Sequence, residues 1–215
     1  MKSLSLAKPL AIMMIGLPGA GKSQFAKQFS DMFSAPVCSL NRLRYELFNS
    51  PSFQPQEYEI LKRVVCYQIE ELSKTGKSFI IDGACNALAE RRDLAGIVRK
   101  NGYDTLVVWV QTDEPTARLR SVKRGRNDHL AEHQTMNLPA FESELKRLNP
   151  PAAAENYVVI SGKHTFSTQA RAVLKKLAAP RAETVQNHSV VRNQDIHAHA
   201  APAHLKPPAR RVQIT

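Results

Sequence analysis

"GLPGAGKSQF", Gly16 to Phe25, decides how the rest of the chain is read. Within it, Gly16-Leu-Pro-Gly19-Ala-Gly21-Lys22-Ser23 fits the pattern GxxxxGK followed by Ser or Thr. The spacing has a physical reason. Glycines let successive backbone N–H groups turn inward and approach phosphate oxygens with no Cβ in the way. A helix beginning near Lys22 adds the positive end of its dipole. The pattern assigns Lys22 to the β- and γ-phosphates of a nucleoside triphosphate and the Ser23 hydroxyl to Mg²⁺. Gly16, Leu17, Pro18, Gly19, Ala20, Gly21, Lys22 and Ser23 are therefore the expected cradle, with ATP and Mg²⁺ as its expected ligands.

The flanks agree with that reading. "LAIMMI" (Leu10–Ile15) is wholly apolar and suits a strand buried on both faces. An early Lys2 and this apolar stretch resemble a secretion signal, but the run is short and leads straight into the cradle, so a first core strand is expected. "KSQFAKQFSDMF" sets Phe25, Phe29, Met32 and Phe33 on one helical stripe. Further along, strand-like runs alternate with helical ones. Strands are expected at Pro36–Leu40, Ser78–Asp82, Thr105–Thr112 and Asn156–Ser161. Helices are expected from about Gln54 to Lys74, over "NALAERRDLAGIVRKNG", from Glu114 to about Arg124, and from about Ser167 to Leu177. Strands separated by helices imply an α/β fold, a three-layer α/β/α sandwich on a five-stranded parallel sheet.

Residues 1–180 thus read as one domain. From 181 to 215 the apolar period stops, and Pro, Ala and His take over. Disorder is expected in this basic tail. Four of the seven histidines lie there with no cysteine beside them, in a segment expected to lack fixed structure, so no metal site is expected of them.

Composition bounds the function. With 43% apolar and 23% charged residues, the chain is an ordinary globular one. The formal charge of +11 suggests an anionic partner, nucleic acid among them, although the basic residues are scattered. Cys38, Cys66 and Cys85 are far apart and form no CxxC pair, which fits thiols in a reducing cytoplasm. No apolar run reaches the length of a membrane span.

A cradle of this kind needs an acidic residue at the end of a neighbouring buried strand, and "FIIDGA" supplies Asp82. The residues after Asp82 exclude two classes. Motor-type ATPases carry a Glu immediately afterwards to polarise water, and Gly83 stands there instead. GTPases carry DxxG and NKxD. The first would fall on Asp82-Gly-Ala-Cys85, and the second is nowhere in the chain. A kinase is favoured.

With cradle, acid and element order together, the chain resembles the small P-loop kinases of the polynucleotide-kinase and zeta-toxin type, often described as AAA-family ATPases. The likeness runs from about Leu10 to Ala178. "IIDGACNALAERRDL" is similar to that group's strand followed by an Asp and Asn pair and a basic helix, matched by Asp82, Asn86, Arg91 and Arg92. "VVWVQTDEPTARLRSVKRGR" is similar to its fourth strand and arginine-bearing helical lid. "SLNRLR" is similar to its acceptor motif, matched at Ser39 and Arg44.

The resemblance implies transfer of the ATP γ-phosphoryl group to a hydroxyl, on a nucleic-acid 5′ end or a small molecule. It implies roles for Arg44 beside the acceptor and for lid arginines over the γ-phosphate, chosen among Arg118, Arg120, Arg124 and Arg126. Arg120 and Arg124, one helical turn apart, are favoured, and Arg126 comes next. One position departs. Where the group has an aspartate that orients and deprotonates the acceptor, this chain has Asn41, which cannot take a proton at neutral pH. Asp82 and Glu46 are the alternative bases, and Phe48, Phe53 and Tyr58 the aromatic residues that can stack a base or sugar. A weakly active or inactive ATP-binding interaction module, and a nucleic-acid binder that acts through its basic surface, are the competing readings.

Overall fold

The computed structural model describes residues 7–122 and 136–179. The tail expectation for 181–215 and the lid candidates Arg124 and Arg126 lie outside the described residues.

Five strands, β1 (Leu10–Ile15), β2 (Val37–Ser39), β3 (Phe79–Asp82), β4 (Asp104–Gln111) and β5 (Tyr157–Ser161), form one parallel sheet in the order β2-β3-β1-β4-β5. Seven helices accompany them: α1 (Lys22–Phe33), α2 (Leu40–Leu47), α3 (Pro55–Ser73), α4 (Leu88–Lys100), α5 (Glu114–Val122), α6 (Leu138–Arg147) and α7 (Phe166–Ala178). The expected five-stranded parallel α/β architecture is the one observed.

β1 is central, and all six of its residues are buried. Its alternate side chains feed two cores. Leu10, Ile12 and Met14 join Phe25 and Phe29 of α1 and Val173 of α7. Ala11, Met13 and Ile15 join Leu61, Val65 and Ile69 of α3 with Leu94 and Val98 of α4. A strand pressed between two helical layers has no solvated face, which is why "LAIMMI" shows no polar alternation. The expected helical stripe on α1 holds at Phe25 and Phe29, with Phe33 partly buried, but Met32 is 40% exposed. Cys38 and Cys85 are buried, Cys66 is half-buried, and all three are free thiols.

Two helices go beyond the sequence expectation. The run Pro36–Leu40 reads as a strand, yet β2 stops at Ser39. That residue caps α2, its side chain accepting the Arg42 N–H at 3.4 Å. α6 is capped by Asn137, whose Oδ1 accepts the Ala140 N–H at 2.9 Å, with Pro139 in its first turn. Among the described residues, no helix is long and apolar enough to cross a membrane.

Candidate functional site

The parallel sheet brings the C-terminal ends of its strands to one edge, the usual ligand edge of such folds. The loop 16–21 leaves β1 there and enters α1. Gly16, Gly19 and Gly21 have φ of 140°, 80° and 104°, values an L side chain rarely adopts. Two of them are also pinned by close approach. A Cβ on Gly16 would lie 2.4 Å from the Val110 carbonyl oxygen, and one on Gly19 would lie 2.2 Å from that of Ala117. Gly21 is the N-cap of α1 and offers no side chain to its first N–H groups, and no acidic residue lies in the first turn. The amide end of α1 is therefore uncapped by any side chain and presents donors and a positive dipole end.

Lys22 Nζ donates to the carbonyls of Gly16 at 2.8 Å and Leu17 at 2.9 Å, so the ammonium is held over the loop. Ser23 is exposed in the first turn of α1. Asp82 closes β3 and is buried, in register with Met14 on one side and Ser39 on the other. Ser39 Oγ donates to Asp82 Oδ2 at 3.2 Å. Hydroxyl and carboxylate oxygens of this kind are hard donors suited to Mg²⁺.

Three contacts fix the loop from outside. Gly16 N–H donates to Asn86 Oδ1 at 3.1 Å, and Asn86 Nδ2 in turn donates to Glu144 Oε2 on α6 at 3.0 Å. Thr112 Oγ1, just past β4, donates to the Ala20 carbonyl at 3.2 Å. Gly162, just past β5, approaches so closely that a Cβ there would meet the Ala20 oxygen at 2.0 Å. Arg120 is exposed and donates to the Gly162 carbonyl at 3.2 Å, which places it against this same turn. Arg118 instead pairs with Glu114 at 2.7 Å and lies over Phe141.

Beside Lys22 opens a cleft of about 410 Å³, whose lining includes Pro18, Lys22, Asn41, Arg44, Tyr58 and Arg147. Arg44 is buried. Its Nε stands 2.7 Å from Glu57 Oε1 as an ion pair, and its Nη1 donates to Asn41 Oδ1 at 3.0 Å. The Phe53 ring lies 4.6 Å from its guanidinium carbon. Burial pushes the Glu57 carboxyl up, but hydrogen bonds from Ser52 and the charge of Arg44 outweigh it and hold the group below its usual range. Asn41 thus lines the cleft with its Oδ1 engaged by Arg44.

Arg147, also on the cleft lining, pairs with Glu90 and with Glu144, the latter at 2.7 Å, and its guanidinium lies 4.0 Å over the Tyr58 ring. Tyr58 Oη donates to Glu90 Oε1 at 2.6 Å. Burial, then the Glu90 carboxylate, push the Tyr58 hydroxyl pKa up, and Glu144, Tyr58 and Glu90 keep Arg147 charged despite its burial.

The remaining sequence candidates fall elsewhere. Glu46 is exposed and faces Arg42 at 3.8 Å. Arg91 is 1% exposed and binds Glu155 together with the carbonyls of Cys85, Asn86, Asn149 and Pro150, so it braces the loop after β3. Arg92 is exposed, and Phe48 packs against the α3 and α4 core. Glu57, Glu90, Glu144, Arg147, Thr112 and Gly162 are not among the sequence candidates. Only α6 carries a local signal, the Asn137 cap ahead of Pro139 and the apolar Phe141.

A parallel sheet with this loop, lysine and strand-end aspartate defines a P-loop protein of the kinase-like α/β class. The sequence pattern of the AAA domain family matches residues 12–151, and the chain belongs to that family. No curated protein gives a significant match. Among solved structures, Kti12 from Chaetomium thermophilum in complex with ADP-AlF3 superposes with a TM-score of 0.63 at 14% identity, covering 79% of this chain and 100% of that one. The APS kinase CysC of Mycobacterium tuberculosis in complex with AMPPNP and APS gives 0.56 at 17% identity over 80% and 99%. An unliganded sugar kinase from a Janibacter species gives 0.60 at 14% over 79% and 94%. At such identities the likeness is one of fold.

Proposed function

We propose that the protein binds Mg-ATP at residues 16–23 and transfers its γ-phosphoryl group to a hydroxyl of an acceptor held in the adjoining cleft. The observation that carries this reading is the uncapped amide end of α1, with Lys22 beside a cleft wide enough for a small molecule. The loop amides and Lys22 neutralise the β- and γ-phosphates. Mg²⁺, when bound, spreads the charge shared by those phosphates, with the Ser23 hydroxyl and Asp82 as its protein-side ligands. Among the described residues no group of three or more acidic, His or Cys side chains converges as a metal cage, so Ser23 and Asp82 would hold the ion together with the nucleotide.

The acceptor oxygen forms its bond to phosphorus as the bond to the bridging oxygen breaks, and ADP leaves. The hydroxyl proton passes to water late, because a loose transition state asks little of a base. Asn41 orients the acceptor by donating to its oxygen, and Arg44 is a positioning residue that holds Asn41. Arg120, with Arg124 and Arg126 carried from the sequence resemblance to the polynucleotide-kinase and zeta-toxin type, supplies positive charge over the transferred group.

Calorimetry with Mg-ATP, followed by γ-labelled ATP with nucleosides, 5′-hydroxyl oligonucleotides, sugars and amino-sugars, tests the reading. Binding heat and a labelled acceptor are expected. Absence of heat sinks the cradle assignment. Heat with no label on any acceptor favours the second reading, an ATP-binding interaction module, which the amide at Asn41 supports.

A further inference from the structure

Resting on the kinase reading above, we infer that Phe53 is a specificity-determining residue that contacts the acceptor, held on the cleft lining in a strained backbone conformation by Glu57. Phe53 has a φ of 57°, and left-handed backbone is costly for a bulky side chain. Ser34 shares that conformation, but it caps the C-terminus of α1, where it is common. Phe53 ends no helix and instead precedes Gln54, the N-cap of α3. A residue kept in such a conformation needs surroundings that over-determine it. Glu57, buried in the first turn of α3, supplies them. Its Oε2 accepts the Ser52 N–H at 2.5 Å, the Ser52 hydroxyl at 2.8 Å and the Phe53 N–H at 3.2 Å. Its Oε1 pairs with Arg44 at 2.7 Å, and the Arg44 guanidinium carbon lies 4.6 Å from the centre of the Phe53 ring. One carboxylate thus fixes the backbone of Phe53 and the cation beside its ring.

Packing does not account for that hold. Phe53 is half-buried, lines the cleft and joins neither of the two hydrophobic cores. The other two aromatic candidates differ. Phe48 packs against the α3 and α4 core. Tyr58 packs there too, and its ring and hydroxyl are engaged by Arg147 and Glu90. Of these three, Phe53 alone meets the cleft without supporting a core. Asn41 lines the same cleft and is held by the same Arg44, so Glu57 positions both residues without being part of the lining itself. A half-exposed ring kept there at a conformational cost offers its remaining apolar area to whatever enters. The acceptor covers that area, and one with no apolar face to set against Phe53 binds less well.

The test uses the full chain with γ-labelled ATP and whichever nucleoside, 5′-hydroxyl oligonucleotide, sugar or amino-sugar it labels. Acceptor KM and kcat, the Kd for Mg-ATP and the thermal midpoint are measured for Phe53→Gly, Phe53→Tyr and Glu57→Gln. Glycine is at ease at positive φ, so Phe53→Gly is expected to fold with a midpoint no lower than wild type. Its acceptor KM is expected to rise about ten-fold through the lost ring area, with kcat little changed. Phe53→Tyr keeps the ring and is expected to recover most of that loss. Glu57→Gln is expected to raise the acceptor KM in the same direction and leave the Kd for Mg-ATP unchanged. A lowered midpoint with unchanged acceptor KM in Phe53→Gly makes the ring a packing element and overturns the assignment. A KM for Phe53→Tyr as high as that for Phe53→Gly overturns it as well, and so does a Kd for Mg-ATP that rises in step with the KM. Wild type that binds Mg-ATP yet labels no acceptor brings down the kinase reading, and this inference falls with it.

Discussion

The Asn86 side chain accepts the backbone N–H of Gly16 at 3.1 Å across a separation of 70 residues, and its own amide donates to Glu144 at 3.0 Å. One side chain thus ties the first residue of the cradle to α6, the helix that walls the cleft. Asn86→Ala removes both bonds and leaves the Gly16 N–H without that acceptor. Two lost hydrogen bonds of about 1 kcal/mol each should lower stability by about 2 kcal/mol. The Kd for Mg-ATP should rise about ten-fold, since a freed loop must be ordered by the ligand. Calorimetry and urea unfolding read the two effects separately. Loss of stability with unchanged Kd would mean that Asn86 braces only α6.

The Arg91–Glu155 pair sets a pH dependence. Burial pushes the Glu155 carboxyl up, but Arg91 and the Ala152 N–H hold it below the ordinary value. A carboxyl with a lowered folded-state pKa stabilises the fold above its unfolded value of about 4.3, and that stability drains away as pH falls through the folded value. Glu57, held down by Ser52 and Arg44, acts in the same sense. Glu155→Gln should cost about 1–2 kcal/mol at neutral pH, while keeping a hydrogen-bonding partner for the buried guanidinium. The gap between wild type and variant should close as pH is lowered from about 5 to about 3. A gap constant over that range, measured by urea unfolding, contradicts the charge assignment.

These two pairs also mark where sequence reading stops. The cradle, the central strand and the strand-end Asp82 are local patterns, with glycine spacing, an unbroken apolar run and a terminal acid, and each can be read without knowing what packs on it. α2 escapes because its helical turn begins inside an apolar run that looks strand-like, and only the Ser39 cap betrays it. Arg44 stands out in the sequence through its motif, and it lines the cleft. Its pairing does not stand out, because Glu57 lies one helix further on and meets it only in three dimensions. Gly162 and Thr112 carry no local signal, since their role is to approach a loop far away in the chain.

Asn41 offers the sharpest chemical test. Its Oδ1 is held by Arg44, so Asn41→Asp sets a carboxylate in the same grip on the cleft lining. A general base there is worth about 10²–10⁴-fold in typical enzymes, and the loose transition state reduces that demand. Transfer to a hydroxyl acceptor should rise about ten-fold or more, with the Kd for Mg-ATP unchanged. Label transfer in single turnover reads the first, and calorimetry the second. Equal rates for the two forms mean that the amide is not what limits transfer.

Gly162 fixes the cradle from the side of β5 by proximity alone. A Cβ there would stand 2.0 Å from the Ala20 oxygen and 2.3 Å from Thr112 Oγ1, and the first of these is backbone that must move. Gly162→Ala should therefore push the loop, cost about 1–3 kcal/mol in stability and weaken Mg-ATP binding by about ten-fold or more. Gly96 is the matched control. It lies within α4 with nothing within 4 Å of its added Cβ, so Gly96→Ala should stabilise by about 0.5–1 kcal/mol through helix propensity and leave nucleotide binding alone. Thermal unfolding and calorimetry on both variants decide the matter, because only a steric effect on the loop separates the two substitutions in Kd. Parallel behaviour of the pair would show that the Gly162 turn has room to yield and does not hold the cradle in place.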